Sequence, residues 1–287
     1  MFDGFEEATA ETGEATIRYR RAGSGPPLLL LHGHPQTSAM WHAVAPALAD
    51  SFTVIASDLR GYGGSSRPPT TGDHEPYSKR AMARDQVGLM ASLGFDRFGV
   101  AGHDRGGRVA YRLALDHPDA VSRLAVLDII PTGEHLRRTD RAFALGYWHW
   151  FFLAQPFDLP ERMIGADPEW FYTRALRGIA DPEALAEYLR FATDPAVIHA
   201  MCEDYRAGMT YDHELDEANR LAGQRIGAPV LALWAAKGTL GSWYDVLEVW
   251  RDWADDVRGR AIDCGHYLPE EAPDEVVGEL ASFFGGS

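Results

Sequence analysis

The segment that most constrains this chain is a short apolar run, Phe98–Ala101, that leads directly into Gly102–Gly106 and then into a helical pattern. An aspartate, Asp104, stands at its centre, with glycine two positions away on either side. Small flanking residues allow the sharp strand-to-helix turn that presents a nucleophile at the edge of a parallel sheet. Aspartate is also a preferred N-cap, so Asp104 could instead only begin the helix. The segment predicts an enzyme with a carboxylate nucleophile.

The first half of the chain alternates strands with helices. The predicted strands are Thr16–Arg20, Pro27–Leu31, Phe52–Ala56, Phe98–Ala101 and Leu124–Leu127. Ser78–Leu93 and Arg108–Leu115 carry helical periodicity between them. Strands return at Pro229–Trp234 and Gly259–Asp263, and a helix closes the chain near Glu275–Phe284. This order predicts an α/β protein with a mostly parallel, doubly wound sheet.

The alternation stops over the middle third of the chain. Residues from about Thr132 to Ala222 are helical in pattern and rich in aromatic side chains, such as Trp148 and Trp170. A helical insertion between two halves of one sheet is typical of a cap over an active site. We therefore expect a core formed by residues 1–131 and 223–287 and a helical cap formed by residues 132–222.

Two further loops follow predicted strands. His32–Pro35 comes directly after an apolar strand, where a backbone N–H can contribute to an oxyanion hole. We expect that N–H from His34 and a second one from Arg105, the residue after the nucleophile. Cys264–Glu271 follows the last strand and contains His266, the only histidine after His213. Since the chain order nucleophile, acid, histidine needs a late histidine, His266 is the expected base.

An acidic residue is still needed to orient His266. The loop after the strand ending at Trp234 is the usual place, but residues 235–238 contain no acid. Asp128 ends the preceding apolar strand, where an isolated carboxylate is costly unless it is hydrogen-bonded. We therefore assign this role to Asp128, with Asp245 as the alternative.

A carboxylate nucleophile narrows the possible chemistry. It acylates poorly but can displace a leaving group from saturated carbon, which leaves an ester on the enzyme. His266 would then activate water to attack the carbonyl of the Asp104 ester, and the oxyanion hole would stabilise the developing charge. The substrate must offer a carbon–halogen bond or a strained carbon–oxygen bond. No residues show zinc-ligand spacing, and we expect no metal and no cofactor.

Arg105 and Arg108 lie one and four positions after the nucleophile, so both can reach the space beside Asp104. Guanidinium groups near a buried site are costly without an anion, and their planar geometry suits a small carboxylate held bidentately. Alternatively, both are ordinary helix arginines that pair with Asp or Glu elsewhere. The first interpretation predicts a small anionic acid as the substrate.

Composition excludes several classes of partner. The 287 residues carry a formal net charge of −15, and no basic stripe offsets it, which argues against nucleic acid. The longest apolar run, Leu28–Leu31, is far too short to cross a membrane, and the acidic Met1–Glu7 does not resemble a signal peptide. Cys202 and Cys264 belong to no paired spacing, as expected in a reducing compartment. We therefore expect a cytoplasmic protein.

Four segments together closely resemble the fluoroacetate (haloacetate) dehalogenases. They are Gly102–Tyr111, Leu127–Ile129, Tyr147–Phe151 and Cys264–Glu271. The resemblance extends over nearly the whole chain. It implies an α/β-hydrolase fold with a helical cap inserted after the sixth strand. It also implies a homodimer that converts a haloacetate and water to glycolate and halide.

The resemblance also implies roles for individual residues. Asp104 would be the nucleophile, His266 the base and Asp128 its orienting acid, while Arg105 and Arg108 would hold the substrate carboxylate. The halide would accept hydrogen bonds from three cap residues, which we expect to be His149, Trp150 and Tyr211.

Two positions depart from the family pattern. An apolar aromatic residue is usual where this chain has His34. The family's halide-binding tyrosine falls, in our register, at Thr210, one residue before Tyr211. We therefore expect a pocket of different polarity and a halide site that depends on Tyr211.

Three other functions compete with this interpretation. An epoxide hydrolase shares the aspartate nucleophile and uses cap tyrosines, for which Tyr147, Tyr172, Tyr205 and Tyr211 are available. A neutral epoxide, however, offers nothing to the two arginines. A haloalkane dehalogenase usually has tryptophan where this chain has Arg105. A noncatalytic small-acid binding protein would keep the pocket without turnover, but here all three catalytic positions are filled.

Overall fold

The computed structural model describes residues 1–286, which are organised around one eight-stranded sheet. The strands are β1 (Glu6–Glu11), β2 (Thr16–Ala22), β3 (Pro27–Leu31), β4 (Thr53–Ser57), β5 (Phe98–His103), β6 (Val121–Leu127), β7 (Val230–Ala235) and β8 (Val257–Ile262). Their order in the sheet is β1-β2-β4-β3-β5-β6-β7-β8. β1, β2 and β4 pair antiparallel, and every pairing from β4 to β8 is parallel. This crossed order puts β5 near the centre, with β3 and β6 as its neighbours.

The central strands are buried on both faces, which explains their unbroken apolar sequences. Leu28–Leu31 of β3 are fully buried, and all residues of β5 are buried. The helices outside the middle third are α1 (Ala45–Ala49), α2 (Lys79–Ser92), α3 (Asp104–Asp116), α12 (Leu240–Trp243), α13 (Val246–Trp253), α14 (Leu268–Glu271) and α15 (Pro273–Gly285). β5 continues without a break into α3, so the nucleophile candidate lies at the carboxyl end of the central parallel strands.

Between β6 and β7 the described elements are all helices, which we call the cap helices. They are α4 (Thr132–Arg137), α5 (Arg141–Gly146), α6 (Trp148–Leu153), α7 (Leu159–Gly165), α8 (Pro168–Ala175), α9 (Pro182–Ala192), α10 (Pro195–Met209) and α11 (Tyr211–Ala222). Asp-Pro pairs begin α8, α9 and α10: Asp167, Asp181 and Asp194 each accept a hydrogen bond from a first-turn backbone N–H. Proline at the first helical position has no N–H to satisfy, so the pair defines where each helix begins.

Buried ion pairs fasten the cap helices to the core. Asp204 of α10 accepts hydrogen bonds from Arg105 of α3 and from Lys79 of α2, and all three side chains are buried. Asp216 of α11 pairs with Arg112 of α3 at 2.8 Å. Removing one member of a buried pair leaves an uncompensated charge, so these pairs hold the cap in one position over the core.

The fold class expected from the sequence is confirmed: the sheet is mostly parallel, and the helical insertion follows the sixth strand. β1 was missing from that expectation. Its sequence consists of glutamate, alanine and threonine, its residues are exposed or half-buried, and it pairs only at the sheet edge. An edge strand with so little apolar surface gives a weak periodic signal. Within residues 1–286, no helix has the length and apolarity needed to cross a membrane.

We expect Gly102→Ala to destabilise the fold because the new Cβ would lie 2.3 Å from the backbone oxygen of Gly106. Forcing an atom into such a packed turn costs about 1–3 kcal/mol. Urea unfolding followed by circular dichroism measures the change. Gly278→Ala is the matched control, since Gly278 lies in α15 with nothing within 4 Å of a new Cβ. An equally stable Gly102→Ala variant would contradict the packing of this turn.

Candidate active site

The turn between β5 and α3 holds Asp104 in a strained backbone conformation. Asp104 has φ +46°, in the left-handed region that aspartate tolerates better than most residues. The space around the turn is closed, because a Cβ on Gly106 would lie 2.4 Å from the backbone oxygen of His32. Such strain persists only where the surrounding structure imposes it. The turn therefore fixes the carboxylate of Asp104 at one point above the sheet.

The Asp104 carboxylate is ionised although it is buried. Burial alone would raise the pKa of this carboxyl, but the electrostatic effects of His266, His103, Arg108 and Arg105 outweigh it and hold the pKa well below its usual range. One carboxylate oxygen, Oδ1, accepts a hydrogen bond of 3.0 Å from the backbone N–H of His34. The backbone N–H expected to stabilise an oxyanion thus already binds the nucleophile.

His32 supports the loop that supplies this N–H. Its ring is fully buried, and its Nδ1–H donates to the backbone oxygen of Gly33 at 2.8 Å. Its Nε2 accepts from the backbone N–H of Leu59 at 3.0 Å. Both ring nitrogens are therefore used within the protein, and His32 orients the loop.

His266 lies beside Asp128, as the sequence predicted. Its Nδ1–H donates to Oδ2 of Asp128 at 2.6 Å, while Oδ1 of Asp128 accepts from the backbone N–H of Ala235 at 2.9 Å. Desolvation in the cavity lowers the pKa of His266, but the hydrogen bond and charge of Asp128 raise it further, so the net shift is upward. This arrangement leaves Nε2 as the nitrogen that can take a proton. The alternative, Asp245, caps α13 instead, where it accepts from the backbone N–H of Glu248.

The backbone around His266 is held from both sides. The carboxylate of Glu271 accepts hydrogen bonds from the N–H groups of Gly265 and Tyr267, at 2.6 and 3.1 Å. The ring of His103, whose pKa burial lowers to about 4, donates Nε2–H to the backbone oxygen of His266 at 2.7 Å. Neither His103 nor Glu271 was predicted as a site residue. The glutamate is part of the sequence segment that carries His266.

Arg105 and Arg108, the two arginines that follow Asp104 in α3, are both buried but have different partners. Arg105 binds Asp204 through Nε at 2.9 Å and Nη2 at 2.6 Å, so this charge is neutralised within the protein. Arg108 donates Nη1 only to two neutral groups, the backbone oxygen of Ile130 at 3.0 Å and the hydroxyl of Thr132 at 3.2 Å. Its Nε is buried, and across residues 1–286 it meets neither an acceptor nor a carboxylate.

Arg108 is thus the cation of this site that an anion would stabilise. Burial lowers the pKa of Arg108, and the neighbouring charge of Arg105 lowers it further, against the opposing effect of Asp104. A bound carboxylate would relieve both effects. The alternative raised for both arginines, that they pair with acids elsewhere, therefore holds for Arg105 and not for Arg108.

One predicted cap donor, His149, lines the same cavity as Asp104, and another, Trp150, is buried beside Arg108 outside the cavity lining. Trp150 is 2% exposed, its ring lies 4.5 Å from the guanidinium carbon of Arg108, and its Nε1–H finds no acceptor within residues 1–286. His149 lines the cavity, and burial lowers its pKa to about 4, so the ring is neutral near pH 7. A neutral imidazole and an indole offer N–H donors without adding a charge.

Tyr211 does not lie at the cavity, which corrects the prediction for this residue. It begins α11 beside Arg80, on the far side of the helix junction. Thr210, where our register placed the family's tyrosine, donates its hydroxyl to the backbone oxygen of Arg206. Tyr205 occupies the position instead: it is 2% exposed, lines the cavity and lies 5.9 Å from His149 between ring centroids. Its place on the buried face of α10, four residues after Met201, was the available sequence signal.

Among the four tyrosines considered for a cap role, only Tyr205 lines this cavity. No acceptor or donor for its hydroxyl occurs in the part of the chain that the structure describes. The guanidinium carbon of Arg105 lies 4.2 Å from the ring centroid of Tyr205. The ring centroid of His34 lies 5.1 Å from the same point. Burial lowers the pKa of His34 to about 3, so this departure from the family pattern adds a polar but neutral ring.

Asp104 and several of the side chains described above line one cavity of about 600 Å³, whereas Arg105, Arg108 and Trp150 are buried outside its lining. Its inner end contains Asp104, His266, His34, His149 and Tyr205, and its wall is completed by Trp148, Leu153 and Phe171. Trp170, which is 63% exposed, and Arg174 belong to its outer end. No group of His, Cys, Asp or Glu side chains suited to a metal ion occurs within residues 1–286. The expectation that the protein uses no metal or cofactor stays a prediction.

The fold and this arrangement define an α/β hydrolase with an aspartate at the nucleophile position. A family model for the α/β-hydrolase fold matches residues 26–273. A crystal structure of an α/β hydrolase from Nostoc sp PCC 7120 superimposes with a TM-score of 0.97, at 54% identity over 99% of each chain.

Two relatives of known activity show which group of α/β hydrolases the chain resembles. The chain is 48% identical to a fluoroacetate dehalogenase from Burkholderia sp, over 99% of this chain and 95% of that protein. It is 38% identical to a soluble epoxide hydrolase from Corynebacterium sp. (strain C12), over 93% of each. The chain belongs to the fluoroacetate dehalogenase family of the α/β hydrolases, which confirms the resemblance found in the sequence.

We expect His266 to be protonated first on acidification among the three histidines that line the cavity and the adjacent His103. The pKa of His266 is raised above the ordinary 6.5, whereas those of His34, His103 and His149 fall to about 3, 4 and 4. Imidazole nitrogen NMR between pH 8 and 5 measures this order, with His→Gln variants for assignment. A second cavity histidine that titrates above 6 would contradict the neutral donor set.

Proposed function

We propose that the protein hydrolyses haloacetates, such as fluoroacetate and chloroacetate, to glycolate and halide. The observation that carries this proposal is the combination of an ionised Asp104 with Arg108, a buried cation that lacks a carboxylate partner among the described residues. The nucleophile and the anion-binding group lie four residues apart on α3, close enough for the charge of Asp104 to act on the pKa of Arg108. A small acid with a leaving group on its α-carbon satisfies both.

The substrate carboxylate would bind to Arg108 and to Nη1 of Arg105. Asp204 already holds the other two donor positions of Arg105, Nε and Nη2, so it positions this guanidinium. The α-carbon would then face Asp104, and the halogen would point toward the cap helices. Holding the reacting atoms in this geometry removes much of the entropic barrier to the displacement.

In the first step an oxygen of Asp104 attacks the α-carbon, and the carbon–halogen electron pair leaves with the halide. Trp150, His149 and Tyr205 would donate hydrogen bonds to that halide through Nε1–H, a ring N–H and a hydroxyl. These donors lie in a desolvated site and require no reorganisation, so they stabilise the charge as it develops. The product of this step is a glycolyl ester of Asp104.

In the second step the neutral ring of His266 takes a proton from water, and the resulting hydroxide attacks the carbonyl carbon of the ester. The backbone N–H of His34, which binds Oδ1 of the resting Asp104, would stabilise the oxyanion together with that of Arg105. Asp128 holds the required tautomer of His266 and stabilises the imidazolium. Collapse of the intermediate releases glycolate and restores Asp104.

Two of the competing functions, an epoxide hydrolase and a noncatalytic acid-binding protein, fit the site less well. A neutral epoxide would use Asp104 and Tyr205 but would leave the buried charge of Arg108 without a counter-ion, which is costly. A noncatalytic acid-binding protein would need the cationic site alone. It would not need the strained φ of Asp104 or the 2.6 Å contact between His266 and Asp128.

We further propose that residues 132–222 act as a cap domain over a core of residues 1–131 and 223 onward, and that the protein is a cytoplasmic homodimer. Three exposed apolar side chains lie in α7 and just before it, Phe157 at 90%, Met163 at 59% and Leu159 at 47%, which supports a protein contact there. Cys202 and Cys264 are both free and buried, which supports a reducing compartment.

The base role of His266 predicts that His266→Asn traps the ester. Alkylation needs only Asp104, so incubation with fluoroacetate should add the mass of a carboxymethyl group to the protein. Intact-protein mass spectrometry followed by peptide mapping should locate that mass on Asp104. The Asp104→Asn/His266→Asn double variant is the matched control and should stay unmodified. A His266→Asn variant that turns over substrate or carries no adduct would exclude this role.

The carboxylate-binding role of Arg108 predicts a large rise in KM for chloroacetate when it is replaced by Leu. Losing a buried charge pair costs about 2 kcal/mol or more, which corresponds to roughly 30-fold or more. Arg108→Lys should recover part of this loss. Arg97→Leu removes an equal charge at an exposed position at the opposite end of β5 and should leave KM unchanged. Steady-state kinetics at constant ionic strength test the set, and an unchanged KM in Arg108→Leu would assign Arg108 to structure alone.

A further inference from the structure

We infer that the same site opens the ring of small oxirane carboxylates, of which glycidate is the simplest. This inference rests on the proposed carboxylate site and adds a second class of substrate. The argument against an epoxide concerns its charge, because a neutral ring leaves Arg108 without an anion. An oxirane that carries a carboxylate meets that requirement and still offers Asp104 a strained carbon–oxygen bond.

The leaving group decides whether such a ring can open. A halide departs as a stable anion and needs only hydrogen bonds, whereas a ring oxygen departs as a strongly basic alkoxide and needs a proton. Tyr205 supplies a hydroxyl at the cavity that has no acceptor within residues 1–286. Burial and the charge of Asp104 raise the pKa of Tyr205, so it holds its proton at rest, while the guanidinium of Arg105, whose carbon lies 4.2 Å from its ring centroid, opposes this shift and would stabilise a phenolate.

His149 and Trp150 complete the environment of the departing oxygen. Their rings lie 5.9 and 6.3 Å from the ring of Tyr205, centroid to centroid, so the three donors form one cluster on the cap helices. Burial lowers the pKa of His149 to about 4 and leaves a neutral ring, which donates a hydrogen bond while Tyr205 transfers the proton. The proposed halide-binding cluster therefore also has the composition that ring opening needs.

The ring-opening reaction balances without a co-reactant. An oxygen of Asp104 forms a bond to the carbon that bears the carboxylate, and the bond from that carbon to the ring oxygen breaks. The ring oxygen stays on the neighbouring carbon and takes the proton of Tyr205, which leaves a phenolate. Ester hydrolysis by water with His266 then releases one proton, and that proton restores Tyr205. The net reaction is glycidate plus water to glycerate.

The position of attack follows from the carboxylate site. With the carboxylate held at Arg108, Asp104 faces the carbon next to it, as in a haloacetate. In heavy-oxygen water the label should enter Asp104 during ester hydrolysis, and over many turnovers it should appear in the product on that carbon, whose configuration is inverted. The cavity of about 600 Å³ has room for the additional carbon of glycidate.

The test compares glycidate, neutral glycidol and chloroacetate on the full-length protein, with products measured by mass spectrometry. We expect glycerate from glycidate, labelled on the carbon beside the carboxylate, and a kcat/KM for glycidol lower by about 100-fold or more. Chloroacetate turnover without glycidate turnover would overturn the inference and leave the proposed function standing. Absence of both activities would overturn both, and equal turnover of glycidol would show that the carboxylate is not recognised.

A Tyr205→Phe variant isolates the proton donor. It should lower kcat for glycidate by about 100-fold or more, the usual effect of removing one essential donor, and kcat for chloroacetate by less than about tenfold. Chloroacetate turnover also shows that the variant is folded. Tyr172→Phe removes another buried hydroxyl, outside the cavity lining, and should leave both rates unchanged. Equal losses for the two substrates in Tyr205→Phe would overturn the role of Tyr205 as proton donor.

Discussion

The structure depends on keeping the carboxylate of Asp104 ionised in a buried site. Burial alone would protonate it, and a protonated carboxyl is a poor nucleophile. The strained turn after β5 fixes its position, and the neighbouring His266, Arg108 and Arg105 lower its pKa. The backbone N–H of His34 completes this environment at 3.0 Å. These groups come from separate loops at the carboxyl edge of the parallel strands, so the order of the sheet is what makes the charge balance possible.

The same charge balance explains why Arg105 has an acidic partner within the protein and Arg108 does not. Two adjacent buried cations repel each other, and a resting enzyme with both of them unneutralised would be strongly destabilised. Asp204 from the cap neutralises Arg105 through two hydrogen bonds, and it also binds Lys79. The charge of Arg108 is left for a ligand. Because Asp204 belongs to α10, the proposed anion site depends on the contact between the cap helices and α3.

The catalytic positions could be predicted from the sequence because each follows directly from a strand. Asp104, Asp128 and His266 come after β5, β6 and β8, and parallel strands bring their carboxyl ends to one edge. No such rule predicts which cap residues reach the cavity. Tyr211 lies six residues from Tyr205, and only the packing of α10 decides which ring enters the cavity. The pairing of Arg105 with Asp204 joins residues 99 positions apart and has no local signal.

The histidines that line the cavity beside Tyr205 are polar without being charged near pH 7. His34 and His149 have pKa values lowered to about 3 and 4, so neither adds a cation beside Arg105 and Arg108 near pH 7. A charged ring there would bind a halide more strongly but would also hold it after turnover and compete with Arg108 for the substrate carboxylate. Neutral donors stabilise the leaving atom only as its charge develops, which favours the transition state over the bound product. Burial of His149, which costs little for a neutral ring, would therefore contribute to release of the halide as well as to bond breaking.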